Sequence, residues 1–187
     1  MSQFPHTCNI QKRSAKKKFA YSGATGTPVI GQTVKGLTSA KTAVIDKTGA
    51  GYLIVKSVSG TFTVGETIAI GTEPNYTFTA TLSSITDYKN QSGEYEYYWS
   101  TDQSSVPCRF YYSGSSGKGA IIHETGQLLD QPLKCAIPPT CTVTAFEYRI
   151  YTTTTGFSGT YDILKIYPLT GVYSITHYEA VLAEVST

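Results

Sequence analysis

Apolar residues in this chain fall into short runs that alternate with polar ones, and glycine, proline and Ser/Thr clusters separate the runs. Alternation at every second position marks a half-buried strand, and the spacing of three and four that marks an amphipathic helix is nowhere sustained. The chain is therefore predicted to be all-β. The clearest run is the C-terminal stretch GTYDILKIYPLTGVYSITHYEAVLAEV at 159–185. Tyr161, Ile163 and Lys165 alternate with Asp162, Leu164 and Ile166, and the run is predicted to stop at Pro168. Tyr173 to Val185 supplies the second strand, with Pro168 and Gly171 punctuating the connection of a hairpin. A strand pair this late in the chain needs partners far upstream. It is predicted to close a small β-barrel begun near the N-terminus.

Upstream, QFPHTCNI at 3–10 reads as the first strand, and Tyr21–Pro28 has the Gly/Ser/Thr/Pro texture of a loop. From Val29 to Ile85 the chain nearly repeats itself. Gly31-Gln-Thr-Val34 is followed by Gly36 and by TAVI at 42–45; Gly65-Glu-Thr-Ile68 is followed by Gly71 and by TATL at 79–82. Each copy predicts a strand, a glycine turn and another strand, and two copies fall short of a solenoid. A small two-fold β-module whose halves pair with each other is expected. Beyond it, Tyr95, Tyr97 and Trp99 alternate with Glu94, Glu96 and Tyr98. Val106–Tyr112, Leu133–Ile137 and Phe146–Tyr151 read as strands, Ile121–Leu129 as a strand or a single helical turn, and 113–120 as a flexible Gly/Ser loop. The predicted organisation is thus a barrel from residues 1–23 plus 86–187, interrupted by an inserted module at 24–85.

Composition adds two points. Charged residues are only 15% of the chain while tyrosines number 15, which suits pleated surfaces and surfaces buried against neighbours. The net charge of +2 conceals an asymmetry, because the first 45 residues hold seven basic and no acidic side chains. The cluster Lys12, Arg13, Lys16, Lys17 and Lys18 is either a solvated basic arm or a surface for phosphate or an acidic partner. No signal peptide or apolar run of spanning length is found, so a soluble chain made in the cytoplasm, without membrane contact, is expected.

Candidate chemistry is sparse. Cys8, Cys108, Cys135 and Cys141 are expected to be reduced, buried thiols. Cys135 and Cys141 are spaced too widely for a zinc knuckle and His6 with Cys8 is a loose pair, so neither a metal nor a cofactor is predicted. Gly114-Ser-Ser-Gly-Lys-Gly119 has the wrong spacing for a phosphate loop and no Ser or Thr after Lys118. His177 and Glu179 share a strand face, as an acid–base couple or a structural pair. Without a nucleophile signature, an enzyme is not expected.

Four segments stand in a familiar order: TCNIQKR at 7–13, Trp99 with VPCRF at 106–110, LKCAIPP at 133–139, and the terminal stretch ending in His177-Tyr-Glu179 with Val181-Leu182. In this the chain resembles the head-closure, or stopper, proteins of tailed bacteriophages, and the resemblance covers roughly residues 3–22 and 86–187. The 24–85 module resembles β-repeats of phage virion proteins. The resemblance implies a small connector-like β-barrel that assembles as a ring, typically a dodecamer, between the portal and adaptor above and the tail terminator or tail proteins below. Such a ring retains packaged double-stranded DNA in its channel at the neck of the virion, after assembly in the host cytoplasm. For channel or DNA contact in such a ring, charge makes Lys12, Arg13, Lys16, Lys17 and Lys18 candidates, or Gly/Ser flexibility the loop around Lys118. Tyr95, Tyr97 and Trp99 are candidates for subunit contact or for the core. Cys108 is expected in the core, and Arg109 is expected to pair with a neighbouring carboxylate such as Glu179. The alternative is a capsid decoration or tail-associated binding protein in which the repeat module carries the function.

Overall fold

The alternation resolves into fourteen strands in the computed structural model, which describes residues 4–112, 121–122, 128–129, 133–170 and 175–185. They are β1 (His6–Ala15), β2 (Lys17–Gly26), β3 (Thr33–Gly36), β4 (Thr42–Gly49), β5 (Tyr52–Lys56), β6 (Thr67–Thr72), β7 (Asn75–Asp87), β8 (Tyr97–Tyr112), β9 (Ile121–Ile122), β10 (Leu128–Leu129), β11 (Leu133–Ile137), β12 (Tyr148–Thr152), β13 (Gly159–Thr170) and β14 (Ile175–Glu184). Two closed six-stranded barrels account for all but the short β9–β10 hairpin. The chain divides into two compact units, Met1–Arg13 with Trp99–Thr187, and Ser14–Tyr98.

The first barrel runs in the order β1-β12-β13-β14-β11-β8. Its inward positions are those that alternation marks: Cys8 and Ile10 on β1, Val106, Cys108 and Phe110 on β8, Cys135 and Ile137 on β11, Tyr148 and Ile150 on β12, and Ala180 and Leu182 on β14. The terminal hairpin departs from its predicted phase. Ile163 pairs with Leu182 and Lys165 with Val181, so Leu164 is an extra, bulged residue. The bulge reverses the facing: Tyr161 and Ile163 are buried before it, and Ile166 packs on the core after it. The strand also continues through Pro168 to Thr170 rather than stopping. Beyond Asp162 no residue of β13 pairs with β12, so Pro168 sits where β13 has β14 alone as partner, and an absent N–H is tolerated there. Within 121–129, where a strand or a single helical turn is expected, the described residues Ile121–Ile122 and Leu128–Leu129 are two short paired strands.

The second barrel runs β2-β5-β4-β3-β6-β7 around Phe19, Val34, Ile45, Leu53, Val55, Ile68, Phe78 and Leu82. The internal repeat is its structural basis. Gly31 N–H donates to the Ile45 carbonyl and Ile45 N–H to Gln32; in the second copy Gly65 N–H donates to Leu82 and Leu82 N–H to Glu66. Both copies open with a turn whose third residue is a glycine at positive φ, 88° at Gly31 and 92° at Gly65, the mark of a type II turn. The copies pair antiparallel through β3 and β6, Val34 opposite Ile70 and Gly36 opposite Ile68.

The second unit is larger than the 24–85 insert, because β2 belongs to it, pairing with β5 and β7. The loop texture of residues 21–26 misleads here. Two register shifts let the strand carry Gly23 and Gly26 at positive φ. A Cβ on Gly26 would lie 2.0 Å from the Thr77 carbonyl oxygen, so close strand approach requires glycine.

Candidate functional site

The outer face of β13, β14, β11 and β8 carries a groove with both apolar and charged side chains. After the bulge at Leu164, the outward row on β13 is Lys165, Tyr167 and Leu169, opposite Val181, Glu179 and His177 on β14. Lys134 on β11 lies opposite Val181. Lys134, Lys165 and Glu179 line an open groove of about 780 Å³ with an apolar wall of Leu164, Tyr167, Leu169 and Val181. Leu164, Tyr167 and Leu169 are all exposed.

Glu179 anchors the polar side of this groove. Its carboxylate accepts from the Lys134 ammonium at 2.7 Å and from the Tyr111 hydroxyl. Burial would push the Glu179 carboxyl up, but Lys134 and Tyr111 more than offset it and hold it below its ordinary range. Burial and the adjacent carboxylate push Tyr111 up, so it stays a neutral donor. The expected partner Arg109 is not the one that binds Glu179. Arg109 and Glu179 flank Ala136 in one row, on either side of β11, about 10 Å apart by strand spacing. Tyr111 and Lys134 reach the carboxylate diagonally instead. His177 lies two residues from Glu179 on the same face, as alternation predicts.

The basic cluster is divided between the two units. Lys12 and Arg13 are exposed on β1 in the first barrel, and the Lys12 ammonium stands 5.7 Å from the Tyr148 ring centre. Lys16, in the second unit, is committed to carboxylates: 2.7 Å to Asp46 and 3.0 Å to Glu96. Burial works against its charge, but the two acids outweigh it and hold Lys16 above its ordinary range. Lys17 pairs with Asp87, and Lys18 lies 4.6 Å from the Tyr52 ring centre. Lys118 lies outside the described residues. Of the aromatic candidates, Tyr95 and Tyr97 are exposed neighbours, their ring centres 6.4 Å apart. Trp99 is half-buried under the Arg149 guanidinium, 4.5 Å away, and Arg149 also donates to Gln11 at 2.7 Å.

The feature that sequence reasoning missed is inside the first barrel. Cys8, Cys108 and Cys135 project from the adjacent strands β1, β8 and β11, and their sulfur atoms all lie within 4.8 Å of one another. The three are 3%, 0% and 0% exposed, and Cys141 is buried in the same core. Cys135 and Cys8 hydrogen-bond to Cys108, pulling its thiol below its ordinary range against the effect of burial. Burial, aided by Cys108 and Cys8, pushes Cys135 up. Spacing along the chain could not reveal it, since the three cysteines come from segments far apart in sequence that the barrel brings together. The inward phase of all three strands was the one available signal.

No family model, curated protein or solved structure matches the chain.

Proposed function

We propose that this chain is a structural virion protein of a tailed bacteriophage, forming a ring at the portal vertex that closes the DNA-filled head and docks the tail. One observation carries the proposal. The segments that give the head-closure resemblance, TCNIQKR, VPCRF, LKCAI and the terminal hairpin, are all strands of a single closed barrel, and the repeat module interrupts that barrel as a separate unit. A ring needs two different complementary surfaces on each subunit. The exposed groove bounded by Tyr167, Leu169 and Val181, with Lys134 and Glu179 at its side, is a surface of the size and mixed character that such contacts use. Exposed Lys12 and Arg13 are the cations on the first barrel that the proposal assigns to DNA, where charge rather than base reading suffices. The role is non-catalytic, with the virion neck as its location.

Depletion of the chain from infected cells tests this. Heads are expected to fill with DNA, then lose it and fail to join tails. Normal yields of tailed, infectious particles lacking the chain would overturn the proposal.

A second reading, a decoration or tail-associated binding protein, is favoured by the two turns of the repeat. Ile30 and Val64 occupy the same position in the two copies and are 61% and 57% exposed. Paired apolar tips on one small barrel suit docking to a partner surface. Substituting both with serine would abolish particle association under this reading and leave neck assembly intact under the first.

A further inference from the structure

We propose that Cys8, Cys108 and Cys135, completed by Cys141, bind one zinc ion in the interior of the first barrel and so fasten its closing seam. The inference is independent of the virion role.

The donor set is specific. Three thiols from three adjacent strands converge with every sulfur pair inside 4.8 Å. A zinc–sulfur bond of about 2.3 Å puts ligand sulfurs about 3.8 Å apart in a tetrahedron. Each pair therefore needs to close by at most about 1 Å, within reach of small side-chain rotations from this geometry. The strand backbones are already pinned, with Cys135 held opposite Phe110 on one side and Ala180 on the other.

The fourth ligand has to come from outside the three strands, and Cys141 is the remaining cysteine of this core. It lies outside the strands, between Ile137 and Tyr148, where its N–H donates to the Pro138 carbonyl at 3.1 Å. It is buried in the same core, and its sulfur lies outside the 4.8 Å group formed by the other three, so it has to swing inward to complete the site. All four cysteines of the chain gather in this barrel, while the core of the second barrel has none. Apolar packing alone gives no reason for that partition.

The chemistry selects the metal class. Four sulfur donors without a carboxylate in the core suit a soft or borderline cation such as zinc and exclude calcium and magnesium. Full burial leaves no open position for a water, so the site is structural. Binding displaces the thiol protons to solvent as the thiolates coordinate, which makes affinity rise with pH. The ion would tie the N-terminal strand β1 to β8 and β11, segments far apart in sequence.

The test uses the full chain, purified under reducing conditions without chelator, loaded with zinc and freed of excess. Metal analysis is expected to give about one zinc per chain. Replacement by cobalt should give the intense thiolate charge-transfer and tetrahedral d–d bands of sulfur coordination. Cys108→Ser should lose the ion, and Cys141→Ser should lose the four-sulfur spectrum and release metal to a chelator faster. Folded wild-type chain that takes up no zinc, checked by circular dichroism, would overturn the proposal without any variant. So would zinc uptake that persists unchanged in Cys108→Ser. A four-sulfur spectrum unaltered in Cys141→Ser would remove that residue from the site.

Discussion

Glu66 is a buried carboxylate that holds two loops of the second barrel together. It is 5% exposed and accepts four hydrogen bonds, from the N–H groups of Thr38, Ser39 and Thr63 and from the Ser39 hydroxyl, at 3.1, 2.9, 2.7 and 2.9 Å. It thereby ties the turn before β6 to the loop between β3 and β4. Glu66→Ala leaves those donors without their acceptor. Hydrogen bonds to a charged group contribute roughly 1.5–3 kcal/mol each, but Thr38 and Thr63 are exposed residues whose N–H groups can turn to water, so the expected loss is about 3 kcal/mol. Gln32, the counterpart in the first copy, shows what an amide achieves: its Oε1 accepts one N–H, from Val29 at 3.1 Å. Glu66→Gln should accordingly keep the Thr63 bond and cost about 1–2 kcal/mol. Burial would raise the Glu66 carboxyl, but the donors outweigh it and hold it below its ordinary 4.5. Its stabilisation is therefore complete above that value and lost as pH falls below it, through the depressed native pKa. Hydrogen exchange resolved over residues 14–98, at pH 7 and under acid conditions, reads this barrel by itself. Glu66→Ala within about 0.5 kcal/mol of wild type, or a variant that loses stability below pH 4.5 as steeply as wild type, would refute the reasoning.

Three further outcomes follow from single sites. Lys16→Met removes one of two ammonium partners from each of Asp46, which keeps Lys56 at 2.8 Å, and Glu96, which keeps Lys47 at 2.8 Å, and should cost about 1–2 kcal/mol by denaturant unfolding, whereas Lys17→Met, at the exposed Asp87 pair, should cost less than about 1. Gly26→Ala drives a Cβ into the Thr77 carbonyl and should cost more than about 2 kcal/mol, against about 1 for Gly23→Ala, which has the same handedness of backbone but open space. Lys12→Ala with Arg13→Ala should leave the melting temperature within a few degrees of wild type and, in assembled particles, increase DNA leakage from heads; unaltered DNA retention would remove these two residues from the channel.

What could be read in advance was local. Alternation located most strands of the two barrels but not β2, and the recurrence of Gly-Gln-Thr-Val as Gly-Glu-Thr-Ile foretold two copies that pair, because identical turns ask for identical backbone. Three things were hidden for physical reasons. A bulge is a single extra residue, so nothing at Leu164 announces that the facing of β13 reverses there. Ser22–Gly26 reads as a loop because glycine serves both loops and twisted, closely approached strands. Partners far apart in sequence leave no pattern: Lys16 could not be assigned to Asp46 and Glu96, nor Glu179 to Tyr111 instead of Arg109, before the strands were placed side by side. The cysteine cluster belongs to this third kind.

Reconstruction of the head–tail junction from intact virions tests the account most directly. It predicts a single ring of copies around the DNA channel below the portal, with the β1-β12-β13-β14-β11-β8 barrel fitting each repeat of the density and none on the capsid shell. Copies spread over the shell or along the tail, or particles without the chain, would contradict it.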